Sequence, residues 1–325
     1  MLTPKTQWLR EAGFGLMFHY LDKPASSNVE SPTSSEDWNR RVDAFDVASF
    51  TRQVNNSGAG YVIFTLGQNT GHFCAPNSVY DDLVGVKPSL LSKRDLIAEI
   101  AASLAPEVKL IAYLPSHAPA NHREAISALR LQPSWDGSAW GLKRFWPDAE
   151  NADDRLSEFQ THGEAIIAHW GQMWGDKVHG WWIDGCYFAD RMYRSEDGPN
   201  FASFAWALRA GNQKRILAFN SGTAKPLERL AAEQDYTAGE FSNKFPAHDV
   251  WTKLEAETDG MQTQLLSFLG EYWGRGEPRF PDGLVSSYTQ YLNQRGIAMT
   301  WDVPFSETGI IPESFLRQLE GIPKK

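Results

Sequence analysis

The chain's chemically capable residues cluster where short apolar runs turn polar. The clearest case is Val178-His179-Gly180-Trp181-Trp182-Ile183-Asp184-Gly185. A run this short and apolar reads as a buried strand that ends in one carboxylate. In parallel β/α architectures, strand C-termini carry the reacting side chains. An aspartate before glycine is also an ordinary strand ending, so Asp184 needs support from elsewhere. Other strand ends supply His19, Gln68, Asn69, His72, Ser116, His117, Asn220, Glu240, Glu271 and Asp302. On converging strands these would make a ring of hydrogen-bonding groups suited to a polyhydroxylated ligand.

Glycoside hydrolysis needs two carboxylates, one to protonate the leaving oxygen and one to attack or to activate water. Asp184 is the nucleophile candidate, because its strand is the most buried and its side chain is short. Glu240, after Gly239 at the end of a sixth strand, is the acid/base candidate, and Glu271 is the runner-up. Glu36 and Glu257 are further carboxylates, with an ordinary surface position the better reading of Glu257. Trp38 and Trp273, read as loop residues, are candidates to stack on a sugar face. His19 reads as a donor to a ligand hydroxyl, with a satisfied buried histidine as the competing reading. The histidines show no metal-ligand spacing, and no GxSxG elbow accompanies a serine. No metal and no cofactor are therefore expected.

These residues need a frame. Apolar runs at 14–20, 61–66, 109–114, 178–184, 215–220, 235–240, 264–269 and 297–302 read as strands. Helical patterns fall at 5–12, 45–57, after Ser92 (capped with Asp95), 123–131, 153–174, 200–210, 226–233, 284–294 and after Pro312. Residues 21–43 read as a long polar loop over the mouth. The alternation predicts an α/β fold, a single (β/α)8 barrel over residues 1–325. Neither GxGxxG after the first strand nor GxxxxGK[ST] is present.

The formal net charge of -9, with no basic run, argues against a nucleic-acid partner. Cys74 and Cys186 make no disulfide framework and read as free thiols. The sequence shows no apolar run of membrane-spanning length and no signal peptide. The expected location is the cytoplasm, or the periplasm or exterior if a signal was removed. Oligomeric state is left open.

Taken in order, these segments resemble the retaining α-L-fucosidases of glycoside hydrolase family 29. Trp8 and Gly13-Phe14-Gly15-Leu16-Met17-Phe18-His19-Tyr20 are similar to that family's first strand. Ser35-Glu36-Asp37-Trp38, Phe45-Asp46 to Phe50 with Gly58-Ala59-Gly60-Tyr61-Val62, and Ser92-Lys93-Arg94-Asp95-Leu96 resemble its next segments. Trp181-Trp182-Ile183-Asp184-Gly185 is similar to its nucleophile strand, Asp235-Tyr236-Thr237 to Glu240 to its DYxTPE segment, and 296–312 to its closing strand. The resemblance implies an exo-acting hydrolase of a terminal α-L-fucosyl or related sugar, working through a covalent glycosyl-enzyme. It implies Asp184 as nucleophile, His19 on the sugar hydroxyls, and Trp38 with Glu36 lining the same pocket. Gln68 and Asn69 replace the family's histidine pair, and Asp302-Val303-Pro304 replaces its NVGP. The family's C-terminal β-sandwich is not expected here. The alternative is a carbohydrate-binding protein without turnover on the same scaffold. A glutamate facing Asp184 across an open pocket discriminates the two.

Overall fold

A computed structural model describes residues 4–22, 33–131, 155–186, 192–241 and 254–323. Parallel strands β1 (Phe14–Phe18), β2 (Tyr61–Thr65), β3 (Lys109–Pro115), β4 (Gly180–Asp184) and β5 (Ile216–Phe219) come first. A short antiparallel pair, β6 (Glu257–Thr258) and β7 (Met261–Gln262), precedes β8 (Gln264–Phe268) and β9 (Ala298–Asp302). The main sheet has seven parallel strands, ordered β5-β4-β3-β2-β1-β9-β8. Helices flank it, among them Val47–Ser57, Leu96–Ser103, Ser157–Trp174 and Asp282–Gln294.

The strands read as apolar throughout because both of their faces are covered. Alternation sends Tyr61, Ile63, Ile111, Tyr113 and Trp182 into one core on the inner side of the sheet. Val62, Phe64, Leu110, Trp181 and Ile183 enter a second core under the helices. The register levels the strand ends: Pro115 lies opposite Asp184, and Met17 and Phe268 lie opposite Asp302. Polar residues just past those ends therefore meet on one side of the sheet.

Residues 235–240, expected as a sixth strand, make parallel contacts without becoming a regular one. Asp235 N donates to Leu217 O on β5, and Tyr236 and Glu240 pair with Gln262 and Leu266. Gly239 interrupts the run with φ +66. A Cβ there would sit 2.1 Å from Gln264 O, so only glycine fits. The Thr237 hydroxyl takes over one backbone role, donating to Gln264 O.

Three local expectations are corrected. The polar stretch 21–43 contains a helix, Ser35–Asp43. Ser34 caps it, accepting from Asp37 N, and Trp38 and Val42, four apart, bury its inner stripe. Residues 226–233 are turns rather than a helix, because tertiary donors take their carbonyls. Gly239 N binds Pro226 O, and Arg209 binds Glu233 O. Asp95, not Ser92, caps the helix Leu96–Ser103, its side chain accepting from Ala98 N.

Arg215, at the entry to β5, is fully buried and has backbone carbonyls as its partners. Its guanidinium donates to Val178, Leu208, Ala210, Gly171 and Gly175 oxygens, joining the C-terminal ends of two helices. Arg215→Met is expected to cost about 3–5 kcal/mol, since it strands several buried acceptors at once. Thermal melting should show a fall of about 10 °C, and an unchanged Tm would refute this role.

Candidate active site

Asp184 closes β4, and its carboxylate is heavily donated to. The Asp184 Oδ1 atom accepts from Gly185 N at 2.7 Å and from Asn220 Nδ2 at 2.8 Å. Its Oδ2 atom accepts from the Tyr113 hydroxyl at 2.8 Å. Tyr113 in turn accepts from Gln68 Nε2 at 2.6 Å, which directs the tyrosine proton at Asp184. Donors on both oxygens fix the direction of the carboxylate.

Glu240 faces it. The same Asn220 Nδ2 donates to Glu240 Oε2 at 2.5 Å. Asn220 is buried just past β5, and Gly222 N donates to its Oδ1 at 3.0 Å, so the amide's NH2 end must point at the carboxylates. One nitrogen bound to both acids caps the Oδ1–Oε2 separation at the sum of the two bonds. Burial, and next the charge of Asp184, push the Glu240 carboxyl up to about 7, while Asn220's donation and His19 pull it back. The two carboxyl groups thus face each other across one shared amide, with the Glu240 pKa raised.

Opposite them, His19 Nδ1 lies 2.5 Å from Asp302 Oδ1. Burial alone would lower the imidazole's pKa. The Asp302 charge and hydrogen bond, with the charges of Asp184 and Glu240, together raise it. Asp302 Oδ2 also accepts from Gly274 N at 2.5 Å, tying the turn after β8 to His19. With Nδ1 occupied, Nε2 is the ring nitrogen left to serve a ligand. Ser116 Oγ lies 2.6 Å from His117 Nδ1 and donates to Gly185 O at 3.0 Å. Burial lowers the His117 pKa to about 4, so this ring is neutral near neutrality.

These side chains line a cavity of about 220 Å³. Its polar wall includes His19, Gln68, Asn69, His117, Asp184 and Glu240, and its apolar wall Met17, Trp182, Leu266 and Trp273. Asn69 Oδ1 is buried with no hydrogen-bond partner among the described residues. Among the described residues, no group of three or more His, Cys, Asp or Glu is placed to hold a metal ion.

Other sequence candidates lie elsewhere. Trp38 is wholly buried on its helix, its indole donating to Phe73 O at 3.0 Å, and does not line the cavity. Glu36, on the opposite side of that helix, has a side chain 90% exposed beside Arg40. His72 is buried, its Nδ1 3.4 Å from Asp22 Oδ2. Glu271 is exposed, its carboxylate lying over Gly276 rather than in the cavity. Glu257 sits in the short antiparallel pair. Tyr113 was not singled out in the sequence. Inward alternation from Ile111 on β3 is the signal that finds it.

No protein-family model matches the chain, and no curated protein sequence does. Solved structures do match. Over 98% of its length the chain superposes on the endo-fucoidan hydrolase MfFcnA4 of glycoside hydrolase family 107, with TM-score 0.71 and 16% identity. It covers 99% of its own length against P5AFcnA, an endo-fucoidan hydrolase of the same family, with TM-score 0.66 and 14% identity. It covers 98% against the α-L-fucosidase AlfC from Lactobacillus casei, with TM-score 0.63 and 16% identity. The chain shares the fold of these hydrolases. It spans about half of MfFcnA4 (53%) but 93% of P5AFcnA and 97% of AlfC. At such identities the likeness is one of architecture, and chemistry has to be argued from the chain's own side chains.

Proposed function

We propose that this chain is a retaining glycoside hydrolase of the α-L-fucosidase type, close in kind to family 29. The observation that carries the reading is the single Asn220 amide shared by Asp184 and Glu240. Retaining enzymes place their carboxyl groups roughly 5–5.5 Å apart, and two acid oxygens held close by one nitrogen are compatible with that spacing. Inverting enzymes need roughly 6.5–9.5 Å to admit a water. The pairing also weighs against binding without turnover, since a glutamate does face the aspartate.

In this reading Asp184 attacks the anomeric carbon while Glu240 gives its proton to the departing oxygen. The C–O bond to the leaving group breaks and a glycosyl ester forms. Glu240, now a carboxylate, takes a proton from water, and the resulting hydroxide equivalent displaces Asp184. His19 Nε2 and the amides of Gln68 and Asn69 serve sugar hydroxyls, and the Met17, Trp182, Leu266 and Trp273 wall meets the ring's apolar edge. A cavity with room for one ring supports exo action on a terminal sugar. α-L-Fucose is the first choice, supported by the ordered sequence resemblance and by the named activities of the structural neighbours.

We also read the sheet as a closed (β/α)8 barrel and a single domain, with 235–241 in sixth place. Support comes from its hydrogen bonds to β5 on one side and to β8 on the other. The test is a panel of aryl glycosides with the product anomer followed by NMR. Release of α-L-fucose first as the α anomer is expected. First release of the β anomer would overturn retention, and hydrolysis of other sugars only would overturn the fucosidase assignment.

A further inference from the structure

Tyr272 follows β8 and borders the cavity, and the residue is 40% exposed. Local structure fixes where that side chain sits. A tight turn does so: Tyr272 N and Arg275 N each donate to the other's carbonyl at 3.2 Å. The Arg275 guanidinium lies over the Tyr272 ring, 4.8 Å from its centroid. Gly274, inside the turn, has φ +66 and donates to Asp302, the carboxylate that also holds His19. Trp273, the neighbour in the turn, points inward, 5.8 Å from the His19 ring and 4.8 Å from Phe268. One turn therefore gives one aromatic ring to the cavity wall and another to its rim.

The strand order says which rim. In the proposed reaction the leaving group departs toward the acid, Glu240, and away from Asp184 on β4. Glu240 pairs with Leu266 on β8, and β8 runs on directly into Tyr272. Tyr272 thus stands on the side where the departing group must emerge. Among the described residues, Arg275 forms no ion pair.

We propose that Tyr272 and Arg275 form the leaving-group subsite, receiving the sugar ring attached across the scissile bond. Tyr272 stacks on that ring's C–H face, and Arg275 donates to its hydroxyls. The natural substrate is then a glycan, with a sugar on both sides of the bond, rather than a glycoside of a small alcohol. The inference rests on the glycosidase reading above.

The experiment compares α-L-fucosyl fluoride, which has no leaving-group ring, with an α-L-fucosyl-galactose disaccharide. In Tyr272→Ala the disaccharide-to-fluoride ratio of kcat/KM is expected to fall about tenfold, the upper range of one aromatic contact. The loss should lie in KM for the disaccharide, Tyr272→Phe should restore the ratio, and Arg275→Ala should lower it by a smaller factor. An unchanged ratio in Tyr272→Ala, with the fluoride still hydrolysed, overturns the subsite and leaves the glycosidase reading standing. A wild-type protein inert toward both substrates overturns the subsite and the fucosidase assignment together.

Discussion

Asp184→Asn is expected to lower turnover of an aryl α-L-fucoside by on the order of 10⁴-fold or more, with little change in Tm. The amide is isosteric with the carboxylate. Its oxygen can keep the bonds from Gly185 N and Asn220 Nδ2. Its nitrogen then faces Tyr113, whose hydroxyl already accepts from Gln68 and has to turn its proton elsewhere. That adjustment is worth about 1–2 kcal/mol at most, too little to unfold the chain. The loss is chemical, because a neutral amide cannot form the glycosyl ester. A smaller variant, Asp184→Gly, leaves a gap beside the anomeric carbon. Added azide should fill it and restore turnover, giving the glycosyl azide of inverted configuration. Near wild-type rates in Asp184→Asn would remove Asp184 from the reaction.

Glu240→Gln should divide substrates by their leaving groups. Where protonation matters, the general acid contributes about 10²–10⁴-fold, so poor leaving groups should lose most and nitrophenolate least. The pH dependence has a definite sign. The acid must be protonated, and burial and the charge of Asp184 raise its pKa to about 7. Activity should therefore fall as pH rises through about 7. Asn220 opposes that rise by donating to the carboxylate. Asn220→Ala should accordingly carry the alkaline limb to higher pH, along with a loss of rate from the freed Asp184. A kcat/KM profile that stays flat through neutrality would exclude Glu240 as the acid.

Residue by residue, the site was unevenly legible. Asp184 stood out because a wholly apolar run ending in a carboxylate is rare outside a buried strand end. Glu240 was singled out by its place after Gly239 at an expected strand end, and Gly239 gains its meaning only from Gln264 O pressing where a Cβ would be. Gln68 and Asn69 were visible as strand-end amides. That Gln68 acts on Asp184 through Tyr113 was not, because the link crosses three strands. Trp38 misled for a physical reason. A tryptophan in a serine-rich polar stretch suggests an exposed stacking residue, but four-residue spacing with Val42 folds it inward.

Local pattern by itself determined the parallel α/β class, the positions of the main sheet's seven strands within a residue or two, and the strand ends where chemistry would gather. It could do so because periodicity and burial on both faces are written locally. Which strand ends meet was decided only in three dimensions. Asn220 binds two acids that come from β4 and from the segment after β5. Asp302 on β9 joins His19 after β1 to the turn after β8, and Glu36 and Glu271 are left on the surface. Those pairings depend on sheet order and register, properties of contacts far apart in the chain that composition and spacing do not encode.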